Sequence, residues 1–236
     1  MMEYCQDKAC NYYRKEVRTL KKGLLFISIC AICVILGQIG RMSFGNVGLA
    51  DVKNLEDLKK VSFYFDYAEG KSDAENYEGK IGTEYVNSAL NREYIFIAKP
   101  TGNIKVGGLD VMQEVKIEKV IKGKSGIESD TVWVDGMPGF EYHDDRIYLD
   151  AFSGWMMKKQ RYLICASSYH KGLYEAEKWF GCLNLETSDS GMVVDTEQEY
   201  TYEEICQAQF FAGDESVLKA KQNIKERILE ELELNK

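Results

Sequence analysis

The chain has 236 residues and a formal net charge of −8, enough length for one or two folded domains. The charge is unevenly placed: residues 1–22 carry six bases and three acids, whereas residues 51–236 carry 23 bases and 35 acids, a net of −12. A region that acidic is repelled by phosphate, which argues against nucleic acid as a partner, and 15 Tyr with only 2 Pro is the composition of a folded domain rather than a disordered tail.

In chain order, the first distinct segment is Gly23–Gly40, an uncharged apolar run placed directly after Lys21 and Lys22. As a helix it is roughly 27 Å long, close to the ~30 Å hydrocarbon core of a bilayer. Six bases precede it and only Arg41 follows closely. The positive-inside rule then predicts a single-span signal anchor with the N-terminus cytoplasmic, the C-terminal domain extracytoplasmic and the plasma membrane as location. A cleaved signal peptide is the weaker reading, because the nearest small-x-small site, Gly48-Leu49-Ala50, lies well past the run. A prepilin-like leader at Lys22-Gly23 would make the chain a pseudopilin-like subunit, but Ser28 stands where that pattern wants a glutamate. Cys5 and Cys10 then lie in a reducing compartment, and Cys30-x-x-Cys33 reads as two small apolar residues of a membrane helix.

Beyond the run, Leu49, Val52, Leu55 and Leu58 recur at a spacing of three and predict a short stalk helix. Residues 62–67, SFYFDY, read as a strand or an aromatic lid, and the polar, glycine-bearing residues 68–80 as a loop. A helix is expected over Thr83–Arg92. From Tyr94 the pattern becomes β: Tyr94–Ala98, the alternating Val111–Ile121, Thr131–Val134, Arg146–Leu149, Arg161–Ser167 and Glu177–Leu185 read as strands. The chain closes with an amphipathic helix capped by Asp214, with Val217, Leu218, Ile224, Ile228, Leu229 and Leu232 on its apolar face and Lys221 and Lys225 among the charges opposite.

The succession YIFIAKPTGN, VKIEKVIKGK, TVWV and KKQRYLIC, over residues 83–185, resembles the OB-fold-like barrel of netrin modules and tissue inhibitors of metalloproteinases. It also resembles uncharacterised membrane-anchored bacterial proteins with an ectodomain on that plan. The resemblance implies an α+β chain: an N-terminal transmembrane helix, then a small antiparallel OB-like β-barrel flanked by helices. The expected divisions are a basic tail (1–22), the anchor (23–40), stalk and loop (41–82), barrel ectodomain (83–200) and C-terminal amphipathic helical segment (201–236). Metalloproteinase inhibition is not implied, because no cysteine matching the inhibitors' zinc-reaching residue precedes residue 94 in this region. The lack of any N-x-S/T sequon accords with a prokaryotic cell surface.

Few residue groups suggest chemistry. Gly123-Lys124-Ser125 lacks the upstream glycine of a P-loop, since Glu118 stands there, and Phe152-Ser153-Gly154 lacks the first glycine of a nucleophile elbow. His143, Asp144 and Asp145 are adjacent, and adjacent residues of an extended segment point to opposite faces, so they read as a solvated acidic loop more readily than as a metal site or hydrolase centre. Cys165 and Cys182 sit in consecutive predicted strands, either as a disulfide or as two buried thiols. No cofactor is expected. The resulting expectation is a membrane-anchored extracytoplasmic binding module without catalysis, meeting a protein or cell-envelope partner. The barrel face and the 136–160 excursion are its contact candidates; Phe140, Tyr142, Trp155, Met156 and Met157 of the excursion either serve recognition or cap the open end of the barrel. The alternatives are a hydrolase or metal-dependent enzyme built on His143, Asp144 and Asp145, and the pseudopilin-like subunit.

Overall fold

Five consecutive residues, Tyr94 to Ala98, are all buried, and so are Tyr162 to Ala166. A strand achieves this only when both of its faces are covered. The computed structural model describes residues 55–107, 110–123, 125, 127–136, 139–143, 146–150, 154–187 and 191–234. The chain divides into two units, Met1–Val47 and Gly48–Lys236, and every described residue belongs to the second.

The two buried strands lie in a six-stranded sheet made of β2 (Tyr94–Gly107), β3 (Asp110–Lys122), β4 (Thr131–Asp135), β7 (Tyr162–His170), β8 (Leu173–Ala176) and β9 (Cys182–Asn184). Its order is β2-β3-β4-β8-β7-β9, and β2 pairs additionally with β7. Tyr94 lies opposite Ala166 and Ala98 opposite Tyr162 in that antiparallel pairing. Because side chains alternate along a strand, each strand feeds two cores. Tyr94, Phe96, Ala98, Tyr162, Ile164 and Ala166 join Val111, Val115, Val132 and Val134 in one. Ile95, Ile97, Leu163 and Cys165 join Ala89, Val217, Ile224 and Ile228 in the other.

The second core is roofed by helices. α1 (Leu55–Leu58) is a single turn; α2 (Lys71–Glu78), α3 (Lys80–Leu90) and α5 (Glu215–Glu231) pack on one another. α4 (Tyr202–Gln207) is short, and its capping box is complete: Thr201 Oγ1 accepts from Glu204 N, and Glu204 Oε2 accepts from Thr201 N at 2.7 Å. Asp214 caps α5 as expected, accepting from Ser216 N at 2.8 Å. Two smaller sheets complete the unit. One has the order β11 (Tyr200–Thr201), β1 (Ser62–Phe65), β6 (Arg146–Asp150), β5 (Gly139–His143); the other pairs β10 (Gly191–Val193) with β12 (Phe210–Ala212).

Several expectations are corrected. The six-stranded sheet is not the small antiparallel barrel that the resemblance implied: β4 and β8 run parallel, and β9 pairs with β7 alongside β8. Arg146–Leu149 falls in a strand as expected, β6, but Gly139–His143, expected within an excursion, forms its antiparallel partner β5, and β6 pairs in parallel with β1, Phe63 opposite Ile147. Residues 71–78 form a helix rather than a loop, because Ala74 and Tyr77, three apart, find a buried face and Asp73 accepts from Gly70 N at 2.9 Å. No helix among the described residues is long and apolar enough to cross a membrane. The structure therefore gives no support to a single-span integral protein with a cytoplasmic N-terminus and an extracytoplasmic domain at the plasma membrane. The apolar run 23–40, the basic tail and the residues of the prepilin-like reading lie outside the described residues.

A buried glutamine ties the first core to the segment that covers it. Gln113, 2% exposed, donates from Nε2 to the Met156 carbonyl at 2.9 Å and accepts from Met156 N at 2.8 Å. This ties segment 154–157 to β3, and Gly154 lies so close to the end of α4 that a Cβ would sit 2.2 Å from the Ala208 carbonyl oxygen. Gln113→Leu keeps the volume but strands both Met156 backbone groups. Each such group costs about 1–3 kcal/mol, so we expect a loss of roughly 2–4 kcal/mol in the unfolding free energy measured by urea denaturation.

Candidate functional site

Of the residues expected to carry function, Trp155, Met156, Met157, Cys165 and Cys182 have described side chains. Trp155 and Met156 are 1% and 2% exposed. The Trp155 ring lies edge-on to Phe63 at 5.2 Å and stacks on Tyr202 at 5.3 Å, so this pair is core rather than contact surface. Met157 is half-buried against the same core. Phe140 and Tyr142 fall in β5, on either side of Glu141. His143 closes β5 opposite Arg146, whereas Asp144 and Asp145 lie outside the described residues. No group of three or more His, Cys, Asp or Glu that would hold a metal occurs among the described residues.

Cys165 and Cys182 are free, buried thiols. Cys182 lies opposite Ile164, not Cys165, and the two thiols belong to different cores. Burial, followed by the charge of Glu177, pushes Cys165 up to about 12, and burial pushes Cys182 well above the ordinary thiol value. Such thiols stay protonated and unreactive.

A cleft of about 230 Å³ opens elsewhere, between the segment Asp66–Glu69, the β5–β6 hairpin and the end of β12. Its hairpin wall presents Tyr148 and Leu149 of β6 and Glu141 of β5; Glu141 and Tyr148 are directly opposite in the antiparallel register. Its floor is Val194, Phe211 and Ala212, tied by Val194 N donating to the Ala212 carbonyl at 2.8 Å. Trp179 closes one end. The buried carboxylate of Glu177 shapes the turn that carries it, accepting from Trp179 N at 2.9 Å and Phe180 N at 2.6 Å, with Arg92 at 3.9 Å as its counter-charge.

The remaining wall, Asp66–Glu69, is fixed by a buried network. Lys221 of α5 has no exposed side-chain surface. Its Nζ donates to the Phe211 carbonyl at 2.7 Å, pairs with Glu69 Oε2, and lies 5.7 Å from the Tyr77 ring centroid. The Tyr77 hydroxyl donates to the other oxygen of Glu69. The Glu69 carbonyl accepts from Gly213 N at 2.9 Å, and the Tyr67 hydroxyl donates to Asp73 Oδ2 at 3.1 Å. Burial lowers Lys221 to about 8, against the opposing pull of Glu69. Burial first, then the bond to Glu69, raises the Tyr77 hydroxyl far above its ordinary value.

Helical periodicity assigns Lys221 and Lys225 to the solvated face, yet they are 0% and 2% exposed. Both reach backbone carbonyls, Lys225 that of Thr187 at 2.8 Å. Two sequence signals touch this cleft: the 136–160 excursion, which supplies Glu141, Tyr148 and Leu149, and the aromatic run 62–67, read as a strand or a lid. Its first four residues form β1, and Asp66 and Tyr67 line the cleft. No known family model matches the chain, and no curated protein matches it either.

Lys221→Met removes the cation from a pocket that still holds the Glu69 carboxylate. Breaking a fully buried pair costs ~3–5 kcal/mol; with Glu69 20% exposed, a loss of roughly 2–3 kcal/mol is expected at pH 7. The unfolded lysine keeps its proton to about 10.5 and the folded one only to about 8. Between those values the unfolded state binds more protons, so this group's contribution to stability rises with pH. The raised thiols of Cys165, Cys182 and Cys206 act oppositely, stability falling as the unfolded thiols ionise. They are common to both proteins. The stability gap between wild type and Lys221→Met therefore widens from pH 8 to 9.5 in urea titrations; a narrowing gap contradicts the burial of the ammonium.

Proposed function

We propose that this chain is a binding module without catalysis of its own, and that the cleft beside Asp66–Glu69 is where it engages its ligand. The observation that carries this reading is the fixed wall: Glu69 is held through its side chain by Lys221 and Tyr77 and through its backbone by Gly213. A site whose walls are set before a ligand arrives loses little order on binding. The lining mixes aromatic surface with carboxylates, the combination of apolar bulk and a few polar groups that small-ligand sites use. The volume falls below the ~300–1,000 Å³ of sites for drug-sized ligands, so it suits a small molecule or one side chain of a partner.

The test is a thermal-shift screen of the full chain against small amines, sugars, nucleotides and carboxylic acids, with the double variant Tyr67→Ala/Glu141→Ala as control. Both positions are exposed, so the control is expected to fold. A compound that raises the melting temperature of the wild type but not of the variant, and is recovered chemically unchanged, supports the reading. Conversion of that compound to a product contradicts it.

A further inference from the structure

Asp-Gly occurs once in the chain, at Asp135-Gly136, and Asn-Gly not at all. Glycine has no Cβ to shield its own main-chain nitrogen, so this is the dipeptide at which an aspartate carboxyl and the next amide meet most readily. The fold requires the glycine. Its φ is +104°, and a Cβ there would sit 2.9 Å from the Ala176 carbonyl oxygen and 3.1 Å from the Ala176 Cβ. A bulkier residue, which would shield that nitrogen, does not fit.

The fold also brings the two groups together. β4 ends at Asp135, so Gly136 lies just past the strand, and its N–H donates to Asp135 Oδ1 at 2.8 Å. The carboxyl is folded back onto the amide that would attack it. Such a near-attack arrangement supplies in advance much of the order that ring closure needs. Asp130, in the same stretch, is an internal contrast. The amide that follows it, Thr131 N, donates to Ser129 Oγ at 3.2 Å instead, and Thr131 is β-branched and stiff.

We propose that Asp135 is a site of spontaneous main-chain rearrangement, converting to isoaspartate and unpinning the end of β4 from β8. Gly136 N attacks Cγ of the neutral Asp135 carboxyl. The N–Cγ bond forms, a Cγ–O bond breaks, and the oxygen leaves as water with the amide proton and the carboxyl proton. Water then opens the succinimide ring. Addition at Cγ restores aspartate; addition at the Asp135 main-chain carbonyl breaks its bond to Gly136 N and leaves isoaspartate, with that carbonyl now a free carboxylate. Water is the only co-reactant, and nothing is oxidised or reduced. The main chain then runs through Cβ and Cγ, one carbon longer, directly before a glycine packed on Ala176. Asp135 opposite Glu175 is the last rung of the parallel β4–β8 pair, and the rearrangement takes away its main-chain carbonyl.

The experiment is ageing of the full chain at neutral pH and physiological temperature, with the synthetic peptide 125–146 aged alongside. Tryptic mapping with electron-transfer dissociation then distinguishes isoaspartate from aspartate at each position. Isoaspartate at 135 is expected to accumulate in the folded chain no more slowly than in the free peptide, preceded by a species lighter by one water, while Asp130 stays aspartate. Asp135→Glu, whose longer side chain cannot close the same ring, is expected to lose the signal. Slower conversion in the folded chain than in the peptide, or equal conversion at Asp130, overturns the proposal. In the converted fraction the amides of β8 are expected to exchange about tenfold faster than in the fresh chain. Unchanged exchange there overturns the unpinning of β4 from β8.

Discussion

Pairing of Tyr94–Ala98 with Tyr162–Ala166 places ten buried residues side by side, with neither face of either strand exposed. Once these strands pair, their alternating side chains must fill two spaces at once. One space is closed by β3, β4 and β8; the other by α3 and α5. At about 1.5–3 kcal/mol for each large apolar side chain removed from water, this double burial favours the folded state strongly.

The cleft inherits its geometry from that arrangement. α5 docks on the outer face of the paired strands and carries Lys221 to a point where its ammonium meets Phe211, Glu69 and Tyr77 together. The turn after β8 is bound back to β7, Glu177 N donating to the Cys165 carbonyl at 2.8 Å, and the Glu177 side chain then sets the position of Trp179. Two walls of the cleft are thus consequences of residues that never touch a ligand. The third, the β5–β6 hairpin, is positioned by its parallel pairing with β1.

Much of the strand content was legible because alternation is a local signal. Val111, Gln113 and Val115 alternate inward as the pattern implied, and the Asp214 cap announced α5. The illegible parts share a non-local cause. The pairing of Phe63 with Ile147 joins residues 84 positions apart (147 − 63) and carries no sequence mark. Lys221 and Lys225 look solvated on a helical wheel, and only a carbonyl or carboxylate donated by another element makes their burial tolerable. Whether Trp155 and Met156 serve contact or core was not decided by the local sequence, because the polar tether that buries them, Gln113, lies 43 positions away from Met156. The candidate site was legible only in part: Asp66 and Tyr67 belong to the aromatic run, and Glu141, Tyr148 and Leu149 to the excursion singled out for contact, but nothing in the sequence brings these segments together with Trp179, Val194 and Phe211.

Native-state hydrogen exchange on the full chain tests the central structural claim most directly. If the two doubly buried strands hold the unit together, the amides of Ile95–Ala98 and Leu163–Ala166 exchange only through global unfolding. They then form the slowest class, with an opening free energy equal to that from urea denaturation. Exchange of these amides through local opening, at free energies well below the global value, contradicts the account.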